Sequence, residues 1–325
     1  MYDPSSEYAQ SVLVLGATGA IGRAVARDLV VNGYRVYGLI RDEASRARLP
    51  YSVVGVIGDI RAPEKWDQAI ERTQAVINCA FPSDLAQGPQ TYEQAERDAE
   101  ELARVLDRLC DAMRRWKRRF VHTFGALLYQ PDEKGWVREN SAIASGRGYG
   151  IRHQYMWPVF ARQRKKGLRA MSVNPTFVYG RGGWFEAGLL EPMSRGESVV
   201  LIGEGNQTMH YLTTADAGTG YRLALEHGLD GDDFLLADDR PSTLGEFTRM
   251  VAKEMGAPEP RPMPEEDLIP LIGAWNVEAY TFCPKVDSTK ARERLGWTPR
   301  YPTIDVGIPA VVREYKRATL QTAAR

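Results

Sequence analysis

Cysteine is scarce. Three residues in 325, Cys79, Cys110 and Cys283, show neither paired nor metal-type spacing. That excludes a disulfide scaffold and a thiolate metal site, and it suits a reducing compartment. Excess charge is lacking too, because Lys plus Arg and Asp plus Glu both number 42. A balanced chain offers no global attraction to nucleic acid or an anionic membrane. The one dense basic run, from Arg114 to Arg119, falls where a helix should end before a strand, and there it complements the helix C-terminus. No apolar stretch approaches the length that spans a bilayer. Met1 to Gln10 is polar and has no apolar core of a leader. There is no internal repeat and no low-complexity segment. The expectation is a cytoplasmic protein without metal, membrane or nucleic-acid partner.

What is present is organised around SVLVLGATGAIGRAVAR, Ser11 to Arg27. An apolar run, Val12 to Leu15, stops at Gly16. Gly19 and Gly22 follow at intervals of three, and then Ile21, Val25, Leu29 and Val30 take helical spacing. The pattern predicts a buried strand, a tight turn and a helix. Such a turn brings backbone N–H groups and a helix N-terminus to one point, which favours a dinucleotide pyrophosphate. The spacing is G-x-x-G-x-x-G, and the flanking strand and helix strengthen it.

Further strands are expected at 34–40, 52–57, 75–80, 120–124 and 168–174, with helices at 63–72, 91–116 and from 149. The alternation predicts a doubly wound parallel sheet, with ligands at the strands' carboxyl ends near Gly16, Ile40, Asp59, Ala80 and Thr123. Arg41 follows the second strand and favours a 2′-phosphate, hence NADP(H). Asp42 argues for NAD(H) if the strand ends later. Asp59, with Ile60 beside it, suits the adenine. The long connection from Ala126 to Gly148 is expected to cover a substrate. Beyond it come helices at 215–227, 243–255 and 287–295 and a strand at 234–237.

The chain resembles the extended and atypical short-chain dehydrogenase/reductase superfamily, in its sugar-epimerase-like branch. The matching stretches are GATGAIG at Gly16 to Gly22, GDI at Gly58 to Ile60, NCA at Asn78 to Ala80 and FVHTFGALLY at Phe120 to Tyr129. YGIRH at Tyr149 to His153, NPTFVYGRGG at Asn174 to Gly183 and LGWTPRYP at Leu295 to Pro302 complete the set. The resemblance implies a Rossmann domain over 1–175 and a smaller, interleaved substrate domain over 176–325, with segments near 212–240 returning to the first. It implies cofactor contacts at Gly16, Thr18, Gly19, Ala20, Ile21, Gly22, Arg41, Asp59, Ile60, Ala80, Tyr149, His153 and Pro175. It also implies a homodimer through the two long Rossmann helices.

The family's usual chemistry uses a tyrosine as acid or base, a lysine four residues later that favours the phenolate, and a serine that positions the substrate oxygen. Here Tyr149 keeps the tyrosine position, His153 stands at the lysine and Gly125 at the serine. A protonated His153 would still help a phenolate. Thr123, two residues before Gly125, is the candidate replacement for the serine hydroxyl. Where sugar-nucleotide members carry a phosphate-binding arginine, this chain has Met209 and then His210. An uncharged, partly aromatic substrate follows, with Trp184, Phe185, Tyr211 and Trp275 as pocket candidates and His210 as a possible proton donor. The leading reading is an NADP-dependent oxidoreductase acting on a carbonyl or alcohol of a small organic molecule. The alternatives are a non-redox isomerase, lyase or cyclase, or a non-catalytic NADP(H) sensor.

Overall fold

In the computed structural model, which describes residues 10–81, 91–144, 150–282 and 284–323, seven parallel strands form one sheet. They are β1 (Ser11–Leu15), β2 (Arg35–Ile40), β3 (Val54–Ile57), β4 (Ala75–Asn78), β5 (Arg119–Thr123), β6 (Ala170–Pro175) and β7 (Asp233–Leu236). Their spatial order is β3-β2-β1-β4-β5-β6-β7. The order reverses between β1 and β4, and the crevice at that switch point is where such a sheet takes ligands. β1 pairs with β2 on one side and β4 on the other, Leu15 lying opposite Leu39 and Asn78. All five β1 side chains are buried, as expected of a strand covered on both faces.

Helices cover both faces. α1 (Ala20–Val31) and α4 (Thr214–His227) bury Val25, Leu29, Ala217 and Tyr221 against one face. α2 (Tyr92–Arg115) and α3 (Gly150–Lys165) bury Leu102, Leu106, Leu109, Met156 and Phe160 against the other. Thr91 and Gln94 close a capping box on α2, so its start is fixed by sequence. Its end is fixed by the basic run. Lys117 takes a left-handed φ of 53°, Arg115 pairs with Asp67, and Arg119 donates to the carbonyl of Leu225 at 2.6 Å. Those guanidiniums are held by carboxylates and helix-end carbonyls.

A second core lies beyond the sheet's carboxyl edge. Leu201, Tyr211, Phe247 and Val251 pack there with Ile308 and Val312. It is built by short strand pairs, by α5 (Leu244–Met255) and by α6 (Ile304–Ala323). α6 has no counterpart in the sequence expectation, and Gly307 and Pro309 lie in its first turns. Packing overrides both, since Ile304, Ile308, Val311 and Val312 are buried at helical spacing. The expected loop after β5 is partly structured: Ala126–Leu128 forms a 3-10 turn, and Trp136–Val137 pairs with Lys285–Val286. No helix among the described residues is long and apolar enough to cross a membrane.

Candidate active site

The glycine turn forms as its spacing predicts. Gly16 has φ +80°, and a Cβ there would lie 2.8 Å from the backbone of Ala80. A Cβ on Gly22 would lie 2.2 Å from the Gly16 carbonyl oxygen. Only glycine permits β1, α1 and the end of β4 to approach this closely. Gly19 is the N-cap of α1 and no side chain caps the helix, so the amides of its first turn face the switch point. This cradle fits a dinucleotide pyrophosphate. Thr18, Ala20 and Ile21 lie in the same turn.

Each later strand end adds one wall. Asn78 fixes the β4 end, because its Oδ1 accepts from the Ala80 amide at 3.0 Å. Its Nδ2 then faces His122 Nδ1 at 3.1 Å, so that ring nitrogen accepts and the His122 proton resides on Nε2. At the β2 end Arg41 is exposed. Asp42 is engaged elsewhere: it caps the turn Glu43–Arg48 by accepting from the Ser45 amide at 2.8 Å. Hydrogen bonds from Ser45 hold its carboxyl below the usual range. Asp59 is exposed, one oxygen taking the Arg61 amide at 2.8 Å. Ile60 next to it is half-buried.

Beside the cradle lies an apolar cavity of about 300 Å³. Ala20 and Ile21 line it from α1, Phe124 and Gly125 from the β5 end, Pro175 and Phe177 from the β6 end. Trp184, Met209 and Tyr280 close it from the second core. Trp184 is fixed by its indole N–H, which donates to the Val178 carbonyl at 2.9 Å. The other aromatic candidates, Phe185, Tyr211 and Trp275, are buried core, and Tyr211 stacks on Phe247 at 4.2 Å. Strand alternation gave no way to find Phe177 and Tyr280, which reach the cavity from short irregular elements.

Gly125 and His153 belong to one arrangement. His153 Nε2 lies 3.1 Å from where a Cβ on Gly125 would sit. A serine would crowd the imidazole, so the missing side chain makes room for the ring. His153 packs edge-on against Phe124. Burial, and secondarily the Arg152 charge, push its pKa down to about 3. That direction favours the neutral imidazole over the protonated one. Arg152, which sequence reading passed over, is wholly buried between the rings of Phe81 and Trp275, each at 4.7 Å, with Asp98 at 3.9 Å. Tyr149 lies outside the described residues.

Two expectations are corrected. Thr123 does not point at the substrate space. Its hydroxyl donates to the Asn78 carbonyl at 2.7 Å and accepts from the Tyr221 hydroxyl at 2.7 Å, so it is consumed in the layer under α4. His210 does not line the cavity either; Met209 does. His210 is buried, with Nδ1 at 3.1 Å from the Asp238 carboxylate, and its own carbonyl accepts from Thr176 at 2.9 Å. Neighbours on a strand face opposite sides, and here the side facing the cavity fell to the methionine.

The sequence model of the NAD dependent epimerase/dehydratase family matches residues 12–237. A 3-diazoavenalumate denitrifying reductase of a Streptomyces species is 24% identical over 302 residues, spanning 90% of this chain and 97% of that protein. An uncharacterized Saccharomyces cerevisiae protein is 24% identical over 301 residues, 89% of this chain and 94% of its own. Among solved structures, a UDP-glucose 4-epimerase of Thermotoga maritima with UDP-glucose superposes with a TM-score of 0.78 at 23% identity, over 95% of this chain and 99% of that one. A human epimerase family protein with NADPH gives 0.75 at 18% identity, over 93% and 99%. At these identities the structural likeness is one of fold.

Proposed function

Because this chain belongs to the NAD dependent epimerase/dehydratase family, we propose that it is an NADP(H)-dependent oxidoreductase acting on a carbonyl or alcohol of a small, apolar, non-nucleotide substrate. One observation carries the reading. The apolar cavity shares Ala20 and Ile21 with the glycine cradle and has Gly125 in its wall, so cofactor and substrate spaces adjoin. Its volume of about 300 Å³ sits at the low end of the roughly 300–1,000 Å³ of small-molecule sites. Its apolar lining, with Met209 where a phosphate clamp would stand, disfavours a sugar nucleotide.

Gly16, Gly19 and Gly22 would admit the pyrophosphate, and the first-turn amides of α1 would bind it. Arg41 would take the 2′-phosphate, since Asp42 is committed to Ser45. Asp59 would accept from the adenine, and Ala80, Pro175 and His153 would bound the nicotinamide half. The bound nicotinamide supplies or takes the hydride. Tyr149, four residues before His153 in sequence, would hand the matching proton to the substrate oxygen. Neutral His153 would bond a ribose hydroxyl through Nε2, a role that needs no charge. A homodimer is part of the same proposal. It would join the outward faces of α2 and α3, and sedimentation tests it.

The test is NADPH oxidation with a panel of aromatic and aliphatic ketones and aldehydes. Turnover that Tyr149→Phe removes, with cofactor affinity nearly unchanged, is the expected result. An active Phe variant would overturn the role of Tyr149. One feature favours a second reading, a non-redox isomerase, lyase or cyclase: a histidine stands at the lysine position, and burial pushes its pKa down to about 3. Tight NADPH binding without oxidation across the panel would select that reading or the sensor.

A further inference from the structure

We propose a second, anionic ligand site in the groove between α1 and α6, built for a small molecule that carries two or more phosphates. The groove has a volume of about 720 Å³ and shares only Ala20 and Thr214 with the apolar cavity. Six arginines line it: Arg23 and Arg27 of α1, Arg181 and Arg300 of connecting turns, and Arg313 and Arg317 of α6. Positions four apart share a helix face, so the two helices present paired guanidiniums toward one space. Small residues, Ala24, Ala215, Ala310 and Ala318, keep that space open.

The acidic residues of the groove neutralise only part of this set. Glu314 pairs with Arg27 at 3.3 Å. Asp28 is taken by Arg222, outside the groove, at 2.7 Å. Asp216 is buried and accepts from the Thr213 hydroxyl and the amides of Arg300 and Tyr301. Arg181 has Glu186 at 3.5 Å, and its buried Nε has no hydrogen-bond partner. The side chains of Arg23, Arg313 and Arg317 have no ion pair or hydrogen bond among the described residues. In a chain of zero formal net charge such a cluster is local. A long polyanion would find no wider basic field, whereas a compact polyphosphate matches the groove.

Inorganic tripolyphosphate is the probe, titrated calorimetrically at low ionic strength with and without saturating NADPH. Binding is expected in both conditions. Arg313→Ala/Arg317→Ala should weaken it by at least about tenfold, each lost guanidinium–phosphate contact being a charge-assisted hydrogen bond. The NADPH affinity and melting temperature of that variant should stay at wild-type values. The control pair Arg195→Ala/Arg261→Ala, exposed on the second core away from the groove, should leave tripolyphosphate binding intact. Absence of binding, equal affinity in the groove variant or equal weakening in the control overturns the proposal. Loss of binding when NADPH is present also overturns it, because the arginines would then serve the cofactor's own pyrophosphate. Turnover enters none of these readouts, so failure here is distinguishable from failure of the oxidoreductase reading.

Discussion

The two halves of the candidate site are made from different materials. The cofactor half is built from backbone: Gly16, Gly19 and Gly22 fix distances of closest approach, and peptide amides supply the donors. The chemistry half is built from side chains that pack on one another, with His153 over Gly125 and Phe124 beside both. A backbone site tolerates little change at the positions that shape it. In a side-chain site the partners constrain each other, as Gly125 and His153 do where the ring lies 3.1 Å from the position of a Cβ on the glycine.

Breaking the backbone half should have the largest effect. Gly16→Val forces a side chain into a left-handed φ and into the backbone of Ala80. It should weaken NADPH binding by about a hundredfold or more, read by fluorescence titration. Retained affinity would show that the cradle is not the cofactor site. Gly125→Ser tests the other half. Restoring the family serine should lower kcat by about tenfold by displacing His153, at unchanged cofactor affinity. Gly125→Ser combined with His153→Lys should recover part of the loss. A single variant that gains activity would show that the two positions are not coupled.

Arg41→Ala should raise the Kd for NADPH by about tenfold while leaving that for NADH unaltered. Equal effects on both would remove the 2′-phosphate assignment. The aromatic packing around the chemistry half has a pH signature. Burial pushes the pKa of His122 from 6.5 to about 3, and its ring packs against Phe120, Phe124 and Phe160. The unfolded chain binds a proton between those values that the native state does not. Stability should therefore fall as pH drops from 6.5 toward 3. The slope per buried neutral histidine is roughly 1.4 kcal/mol per pH unit. Urea denaturation across that window should show a shallower slope in His122→Gln than in wild type; identical slopes would point to other groups.

The smallest effect is expected of Thr123→Val, which removes the link between Asn78 and Tyr221. It should cost about 1–2 kcal/mol of stability with kcat little changed. A large loss of kcat at unaltered stability would return Thr123 to the substrate.

The parallel sheet, the glycine turn and the strand ends at Ile40 and Ile57 were legible in the sequence. They rest on short-range patterns: apolar runs, helical spacing and glycines at fixed intervals. α6 was not read from the sequence; Gly307 and Pro309 lie in its first turns, and packing in the second core imposes the helix. The family resemblance placed Gly125 and His153 at one site, and composition alone would not have singled out either.

What the sequence by itself determined is the glycine cradle, since a glycine's permissiveness and a helix N-terminus are local properties carried by adjacent residues. Tertiary structure alone decided which way the polar side chains turn. Thr123 faces Tyr221, His210 faces Asp238, and His153 fills the space that Gly125 leaves, through contacts that cross 98, 28 and 28 positions of chain. The arginine groove is decided in the same way, closed by an Arg27–Glu314 pair 287 positions apart. Side-chain direction in a packed interior is fixed by neighbours that only folding brings together, and no local pattern records them.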